Sequence, residues 1–503
     1  MNTFKRKALT SAVLAGLGAA GTAQAVYLDP NGQGQALIYP YYTVQASNGN
    51  GYNTYISVVN TTTAVKVVKV RFREGKNSRE VLDFNLYLSP NDVFAGAVVP
   101  TSDAATAGGR FVTTDTSCTN PALPDLGGGL RGIDFRNYLY SGANAEAAGV
   151  NEGLDRSREG YAEIIEMGTL SPTVGPGSAA VHGASGSPAC GTPLTGQTVP
   201  GVAAAITTPS GGLNGTGTII NVNSGADAGY NADALSNLTA TPIYFDIGND
   251  TPNFSNADPV SVVVANNRAY FSTWAATPVG RAGAVSATMM RSSVINEYIL
   301  DSGTKSQTDW VLTFPTKHHF VTTATATTPF TNKYVAASGA CETISFSYFN
   351  REERGATAAG ADFSPLPPGA AANTVCWEST VVSIRNGATH MPTGTASGVL
   401  GSTNAVPINV TTGFQNGWAS LTFTGTNAVA GAGTGLASAT GVTDNILTGA
   451  TSAVAQTFQG LPVTGFMVRN LNNSTLTCGT ATCQGNYGSL FGHKYLVTAA
   501  PTP

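Results

Sequence analysis

A chain of 503 residues with 42% hydrophobic but only 11% charged residues can bury a large core, and it lacks the high net charge that keeps polymers disordered. Ordinary soluble proteins carry about 25% charged residues, so Thr, Ser, Asn, Gln and Gly must cover most of this surface. A net charge of −4 argues against nucleic acid as a partner, because phosphate binding needs clustered Lys and Arg, and so few charges also weaken repulsion between copies.

The first element along the chain is an export signal. Lys5, Arg6 and Lys7 precede an apolar run over 8–20, and Ala23, Gln24 and Ala25 form an A-x-A cleavage site. Residues 1–25 are therefore expected to be removed, leaving Val26 as the first mature residue. The run is shorter than the roughly 20 residues of a spanning helix, and no later stretch has the length and apolarity to cross as one. Six cysteines follow: Cys118, Cys190, Cys341, Cys376, Cys478 and Cys483. An even number in an exported chain reads as disulfides. Order alone does not choose the pairing; the expectation is nearest neighbours, 118 with 190, 341 with 376 and 478 with 483. No C-x-x-C pair or C-x-x-C-H occurs, so neither a cysteine-bound metal nor a covalent haem is expected.

The clearest local pattern is a hairpin. Val68, Val70 and Phe72 alternate with Lys69, Arg71 and Arg73; Leu82, Phe84, Leu86 and Leu88 alternate with Asp83, Asn85 and Tyr87. Period-two alternation predicts one dry and one wet face, with a turn over 74–78 and a stop at 89–92. Residues 55–60 read as the strand before. Similar strands are expected around Trp310, Leu312 and Phe314, around Ile344, Phe346 and Tyr348, around Ala419, Leu421 and Phe423, and over 260–265, 270–274, 375–384 and 463–468. Only 292–300 reads as helical, with Ser293 as cap, Val294, Ile295, Tyr298 and Ile299 on one face, and Gly303 beyond. The stretches 169–217, 356–373 and 428–456 are Gly/Ala/Ser/Thr/Pro-rich and read as loops or insertions. The expected fold is mainly β: antiparallel β-sandwich-like domains with long Gly/Ala/Thr-rich loops and at most one or two short helices. The expected division is a signal peptide at 1–25, an N-terminal β domain at 26–105, a loop-rich insertion region at 106–240 and a larger C-terminal β region at 241–503.

Candidate chemistry is sparse. His182 opens the string HGASGS, which lacks the last glycine of a G-x-S-x-G elbow and reads as a polar loop. His318 and His319 follow the Trp310 strand; if it continues they point to opposite faces and cannot grip one metal, so they read as surface or packing residues, as do His390 and His493. Asp155, Glu159, Glu163 and Glu166 form the densest acidic patch. Glu163 and Glu166 face opposite ways on a strand, which favours a solvated edge over paired glycosidase carboxylates. Lys69, Arg71, Arg73, Lys76 and Arg79 read as a solvated outer sheet surface rather than a seat for an anionic polymer. Asp246, Asn249, Asp250, Asn253, Asn256 and Asp258 offer oxygens that suit Ca²⁺, but such residues also simply make turns, as do Asp29, Pro30, Asn31 and Gly32. No residue is assigned a catalytic, cofactor or metal role, and the expectation leans away from an enzyme.

The chain also resembles a group of proteins. YISVVN at 55–60, VRFRE at 70–74, LDFNLYLSPND at 82–92, RSSVINE at 291–297, DWVLTFPTK at 309–317, LPVTGF at 461–466 and NYG at 486–488 are similar to uncharacterised exported β-rich proteins of the proteobacterial envelope or cell surface. The resemblance implies an envelope, extracellular or periplasmic setting and transfers no catalytic residue. The function expected is a secreted or cell-surface structural or interaction protein, such as a self-associating surface-layer, filament or adhesive component, with itself or other envelope components as partners. The alternative is a secreted polysaccharide-binding protein or glycoside hydrolase, for which Trp274, Trp310, Trp377 and Trp418 could stack on sugars, although strand tryptophans usually belong to a core. An outer-membrane barrel is permitted by the alternation but disfavoured by the long irregular loops.

Overall fold

The computed structural model describes residues 25–47, 50–184, 186–223, 225–248, 250–265, 268–357, 374–423, 428–431 and 456–501. The expected signal and most of the 356–373 and 428–456 stretches lie outside them. The chain is mainly β, with 47% strand and three short α-helices, and its sheets are almost wholly antiparallel. Two seven-stranded sheets form the first sandwich. Sheet I runs Tyr27–Leu28, Asp233–Ser236, Ala36–Thr43, Glu159–Leu170, Val65–Glu74, Glu80–Leu88, Cys118–Asn120. Sheet II runs Asp125–Gly127, Leu130–Asp134, Gly109–Thr113, Val93–Pro100, Asn53–Asn60, Leu213–Asn221, Ala226–Asn231. Val68, Val70, Phe72 and Phe84 of sheet I meet Ile56, Val58, Phe94 and Phe111 of sheet II in one core. Alternation thus sets the inner faces as expected. Residues 106–240 supply strands to both of these sheets, and no strand of either lies beyond Ser236.

The second sandwich packs sheet III (Gly355–Thr357, Glu342–Asn350, Asn416–Phe423, Ser293–Ile299, Lys494–Leu496) on sheet IV (Ala405–Asn409, Ser379–Arg385, Gln307–Thr313, Thr464–Cys478, Ala481–Gly492). Trp310, Leu312 and Met467 of sheet IV face Tyr298, Phe346 and Leu421 of sheet III. The other face of sheet IV, with Val311, Val381, Phe466 and Val468, joins the core of the first sandwich, where Phe466 stacks on Tyr230 at 5.2 Å. Covered on both sides, Gln307–Thr313 and Ser379–Arg385 bury every residue.

The helix expected over 292–300 is instead the strand Ser293–Ile299, paired antiparallel with Asn416–Phe423. Adjacent apolar pairs such as Val294–Ile295 satisfy both periodicities, and the strand places Val294 and Tyr298 inside with Glu297 outside. The principal helix is Pro278–Met289, which the sequence reading missed. Thr277 caps it by accepting the Gly280 N–H, and Pro278 opens it. It buries Ala284, Val285 and Met289 against Ile38, Ile165 and Leu235 on the outer face of sheet I. Two shorter helices, Gly175–Ala179 and Pro200–Ala205, lie within the stretch expected to be loop.

Cys118–Cys190 and Cys341–Cys376 are disulfide-bonded, with partners 72 and 35 positions apart in sequence. Cys478 and Cys483 sit in the Thr464–Cys478/Ala481–Gly492 hairpin, and their side chains lie outside the described ones. Two disulfides point to an oxidising, exported compartment. Among the described residues, no helix is long and apolar enough to cross a membrane.

Candidate functional site

The outer face of sheet I is the least ordinary place in the fold. Alternation there presents Lys69, Arg71 and Arg73, expected to be wet, yet all three are buried, as is every residue of Val65–Glu74. The helix Pro278–Met289, the segment 243–258 and the 3₁₀ turn Lys317–His319 lie on the face that water was expected to cover. Alternation identifies which residues share a face; it does not say what covers that face. The acidic patch is corrected in the same way: Glu159, Glu163 and Glu166 are buried, and Asp155 alone stays exposed.

Burying charge is costly unless it is paired, and here it is paired. Lys69 Nζ is 2.9 Å from Asp83, and Arg71 Nε is 2.7 Å from Glu80. Arg73 donates to Glu163 at 3.2 Å, to Asp250 at 3.0 Å and to the Ser78 carbonyl at 2.8 Å. Arg71 also donates to the Pro252 carbonyl at 2.8 Å, so the 243–258 segment is clasped by both arginines. Tyr161 donates to Ser78 Oγ, which donates to Glu378 at 3.0 Å. At the end of the strand Arg156 bridges Glu74 and Glu146 at 2.7 Å each, and Arg79 and Tyr334 also reach Glu146. On the inner face Lys66 Nζ is 2.7 Å from Glu166, both fully buried. Glu159 accepts from Tyr41, Ser402 and the Thr403 N–H, joining the two sandwiches.

The electrostatics follow burial first and partners second. Burial pushes the Glu80 carboxyl up to about 7 and that of Glu378 up to about 8, against the pull of Arg71 and Lys317 respectively. Burial also works on Glu146, but hydrogen bonding and charge from Arg156 hold it down at about 2. Lys317, lowered by burial, donates to the Ala340 and Cys376 carbonyls at 2.7 and 2.9 Å. The strand before it ends at Thr313, so the alternation argument for His318 and His319 does not apply; their rings sit 4.0 Å apart in the turn. The rings are partly buried, while both nitrogens of His318 and Nε2 of His319 are enclosed without a hydrogen-bond partner. Burial, with Arg73 nearby, lowers His319 to about 3, and His318 falls well below its ordinary value. Both are neutral at physiological pH.

The other candidates are spent on architecture. Asp246 accepts from Tyr244 and the Val199 N–H; Asn253 and Asn256 cap the 3₁₀ turn Phe254–Asn256; Asp258 accepts the Ala240 N–H. The oxygen-rich stretch therefore works as turns and as a clasp on Arg73, and Asn249 lies outside the described residues. The Asp29 turn closes through the Asn31 N–H. Among the described residues no group of three or more His, Cys, Asp or Glu could hold a metal ion. His182 is not in a loose loop: its Nδ1 is 2.7 Å from Ser89 Oγ and 3.8 Å from Asp92. A proton relay needs hydroxyl and carboxylate on opposite ring nitrogens. Here Ser89 and Asp92 both approach Nδ1, and Ser89 already donates to the Ala180 carbonyl. Thr116 Oγ1 at Nε2 and Asp92 at Nδ1 stand off at 3.4 and 3.8 Å, too long for a tight relay, so the contacts fasten this segment beside the Cys118–Cys190 bond. His390 and His493 hydrogen-bond the Ser306 and Val311 carbonyls.

Taken together these features define a charge-stapled double β-sandwich in which acids and bases hold distant segments to one another. The residues that sequence reasoning missed are Glu74, Glu146, Arg156, Lys317 and Glu378; isolated charges among apolar neighbours, as at Lys317, were the available signal. No protein-family profile matches the chain, and neither curated proteins nor solved structures provide a match.

Proposed function

We propose that this is a structural or interaction protein of the bacterial exterior that associates with copies of itself, as a surface layer, filament or adhesive coat does. The observation that carries this reading is where the charge goes. Among the described residues, sixteen charged ones of a charge-poor chain are buried, which leaves an outside made largely of uncharged polar groups. Such surfaces meet with little desolvation of charge and little mutual repulsion. Open strand edges offer the means: Lys494–Leu496 closes one side of sheet III and is exposed along its length, with Leu496 uncovered and Tyr495 held under the Arg291 guanidinium. An unpaired edge is a template for another chain. The resemblance to exported envelope proteins supports the setting.

Sedimentation velocity and electron microscopy of the mature protein test the reading. Assemblies that grow with concentration are expected, and Leu496→Lys, which places a charge on the edge, should weaken them. A monodisperse monomer at every concentration refutes it.

A further inference from the structure

Outside the stapled layer, one surface departs from the polar pattern around it. On sheet III the strands alternate cleanly: Ile344, Phe346, Tyr348, Ala419 and Leu421 point into the core, and Ser345, Ser347, Ser420 and Thr422 point out. The same outward face also carries Phe349 and Trp418. These are register partners on neighbouring strands, and their rings stack at 4.4 Å with planes 13° apart. Trp418 is 43% exposed, the most exposed of the four tryptophans; Trp310 is buried and Trp274 and Trp377 are partly so. Phe349 occupies one face of the indole. Strand order puts Glu297, the register partner of Trp418, on the next strand along, beside the indole on the side away from Phe349 and leaving that face open.

The row continues from there. Glu297 is exposed, and its carboxylate lies 3.5 Å from Arg469 Nη1 on sheet IV. The Arg469 guanidinium in turn lies 5.4 Å from the ring of Phe491, itself 48% exposed. Lys494–Leu496 pairs only with residues 293–295, so no strand covers Glu297 on this side. Side by side run two stacked aromatics, a carboxylate, a guanidinium and a further aromatic. A protein interface core is enriched in aromatics and Arg but depleted of acids, so the exposed Glu297 carboxylate is what argues against another polypeptide at the centre of this row. A membrane surface favours an excess of bases and no acid. Glu297 and Arg469 pair with each other, which leaves the centre of the row without net charge and suits an uncharged ligand; Lys494, the register partner of Ile295, lies beside it at the sheet edge. The ligand must present flat apolar faces to rings and paired hydroxyls to a carboxylate and a planar guanidinium.

We propose that the row Trp418, Glu297, Arg469 and Phe491 is a binding site for an uncharged polysaccharide chain. Sugar rings with equatorial hydroxyls lie on the free indole face and on Phe491, while Glu297 accepts from and Arg469 donates to hydroxyls between them. Phe349 positions the indole. The site does not depend on self-association, and an assembling protein that ignores sugars refutes this proposal alone.

Titration of the mature full-length protein with cellohexaose and chitohexaose, by calorimetry and tryptophan fluorescence, tests it. At least one of the two should bind and shift the emission. Trp418→Ala should weaken binding about tenfold, Trp418→Phe should retain most of it, and Glu297→Gln and Phe491→Ala should each weaken it by a smaller factor. Unchanged circular dichroism shows that these surface variants remain folded. No binding of either sugar at millimolar concentration, binding that survives Trp418→Ala undiminished, or binding confined to an acidic polymer such as polygalacturonate each overturns the proposal.

Discussion

The Lys66–Glu166 pair offers a direct measure of what the stapled layer contributes. Both side chains are fully buried with nitrogen and oxygen 2.7 Å apart. At an effective dielectric of about 20, unit charges at that distance attract by about 6 kcal/mol, most of it offset by the desolvation of two ions. Removing one partner leaves the other buried without its counter-charge, which costs about 3–5 kcal/mol. Lys66→Met strands the Glu166 carboxylate, although the Ser210 and Gly211 N–H groups still donate to it at 2.9 and 2.8 Å. Burial already raises the pKa of this carboxyl, and Lys66 is the main influence pulling it back. Without Lys66 the folded protein should take up a proton there more readily than the unfolded chain does. Lys66→Met is therefore expected to lose about 3 kcal/mol near pH 8 and less near pH 5. Glu166→Gln keeps an acceptor for only one of the two N–H groups, which meet different carboxylate oxygens, and leaves the ammonium without an anion, at a similar cost. The double variant Lys66→Met/Glu166→Gln removes both charges, leaves one N–H without its acceptor and should lie within about 2 kcal/mol of the parent. Urea unfolding followed by tryptophan fluorescence supplies the double-mutant cycle. Single variants that lose under about 1 kcal/mol, or a double variant that loses the sum of the two, would refute the reasoning.

Three further outcomes are expected. Reduction of the disulfides should lower the thermal midpoint, since closing 72 and 35 residues removes chain entropy worth about 4 kcal/mol each; replacing Cys118 and Cys190 by Ser should reproduce its own share in calorimetry. His319 is neutral in the fold, with its pKa lowered to about 3, whereas the unfolded chain binds a proton below about 6.5, so its contribution to stability falls as pH drops through that window. The difference in unfolding free energy between parent and His319→Gln should therefore move by up to about 2 kcal/mol between about pH 7.5 and pH 5, in favour of the variant at the acid end; a pH-independent difference counts against it. Trp310→Ala should cost about 3–5 kcal/mol in the same assay, because Trp310 is fully buried against Phe346 and His493, whereas Trp418→Ala should cost less than about 1 kcal/mol.

The hairpin of Val65–Glu74 and Glu80–Leu88 was legible because its alternation is strict and its turn residues are unambiguous. So were the strands around Trp310, Phe346 and Leu421. Ser293–Ile299 was not, since doubled apolar residues fit two periods and the deciding factor is a partner strand more than a hundred residues away. The helix Pro278–Met289 is built from small residues whose apolar stripe is faint, and only the Thr277–Pro278 start announced it. Of the stapled layer, the Lys, Arg and Glu residues were visible as charge clusters and were read as wet. Their cover comes from 243–258 and 317–319, and no local pattern links those stretches to residues 65–74. The Phe349–Trp418–Glu297 row likewise depends on register across three strands.

The interleaving of the two sandwiches bears on how the chain must acquire its shape. Ala36–Thr43 pairs with Glu159–Leu170 and Asp233–Ser236, and Phe466 fills a core begun by Tyr41 and Tyr230. The strand Ala36–Thr43 therefore finds its partners more than a hundred positions later, and the core of the first sandwich closes on Phe466 and Val468. Such non-local pairing makes collapse slow and keeps sticky strands unprotected meanwhile.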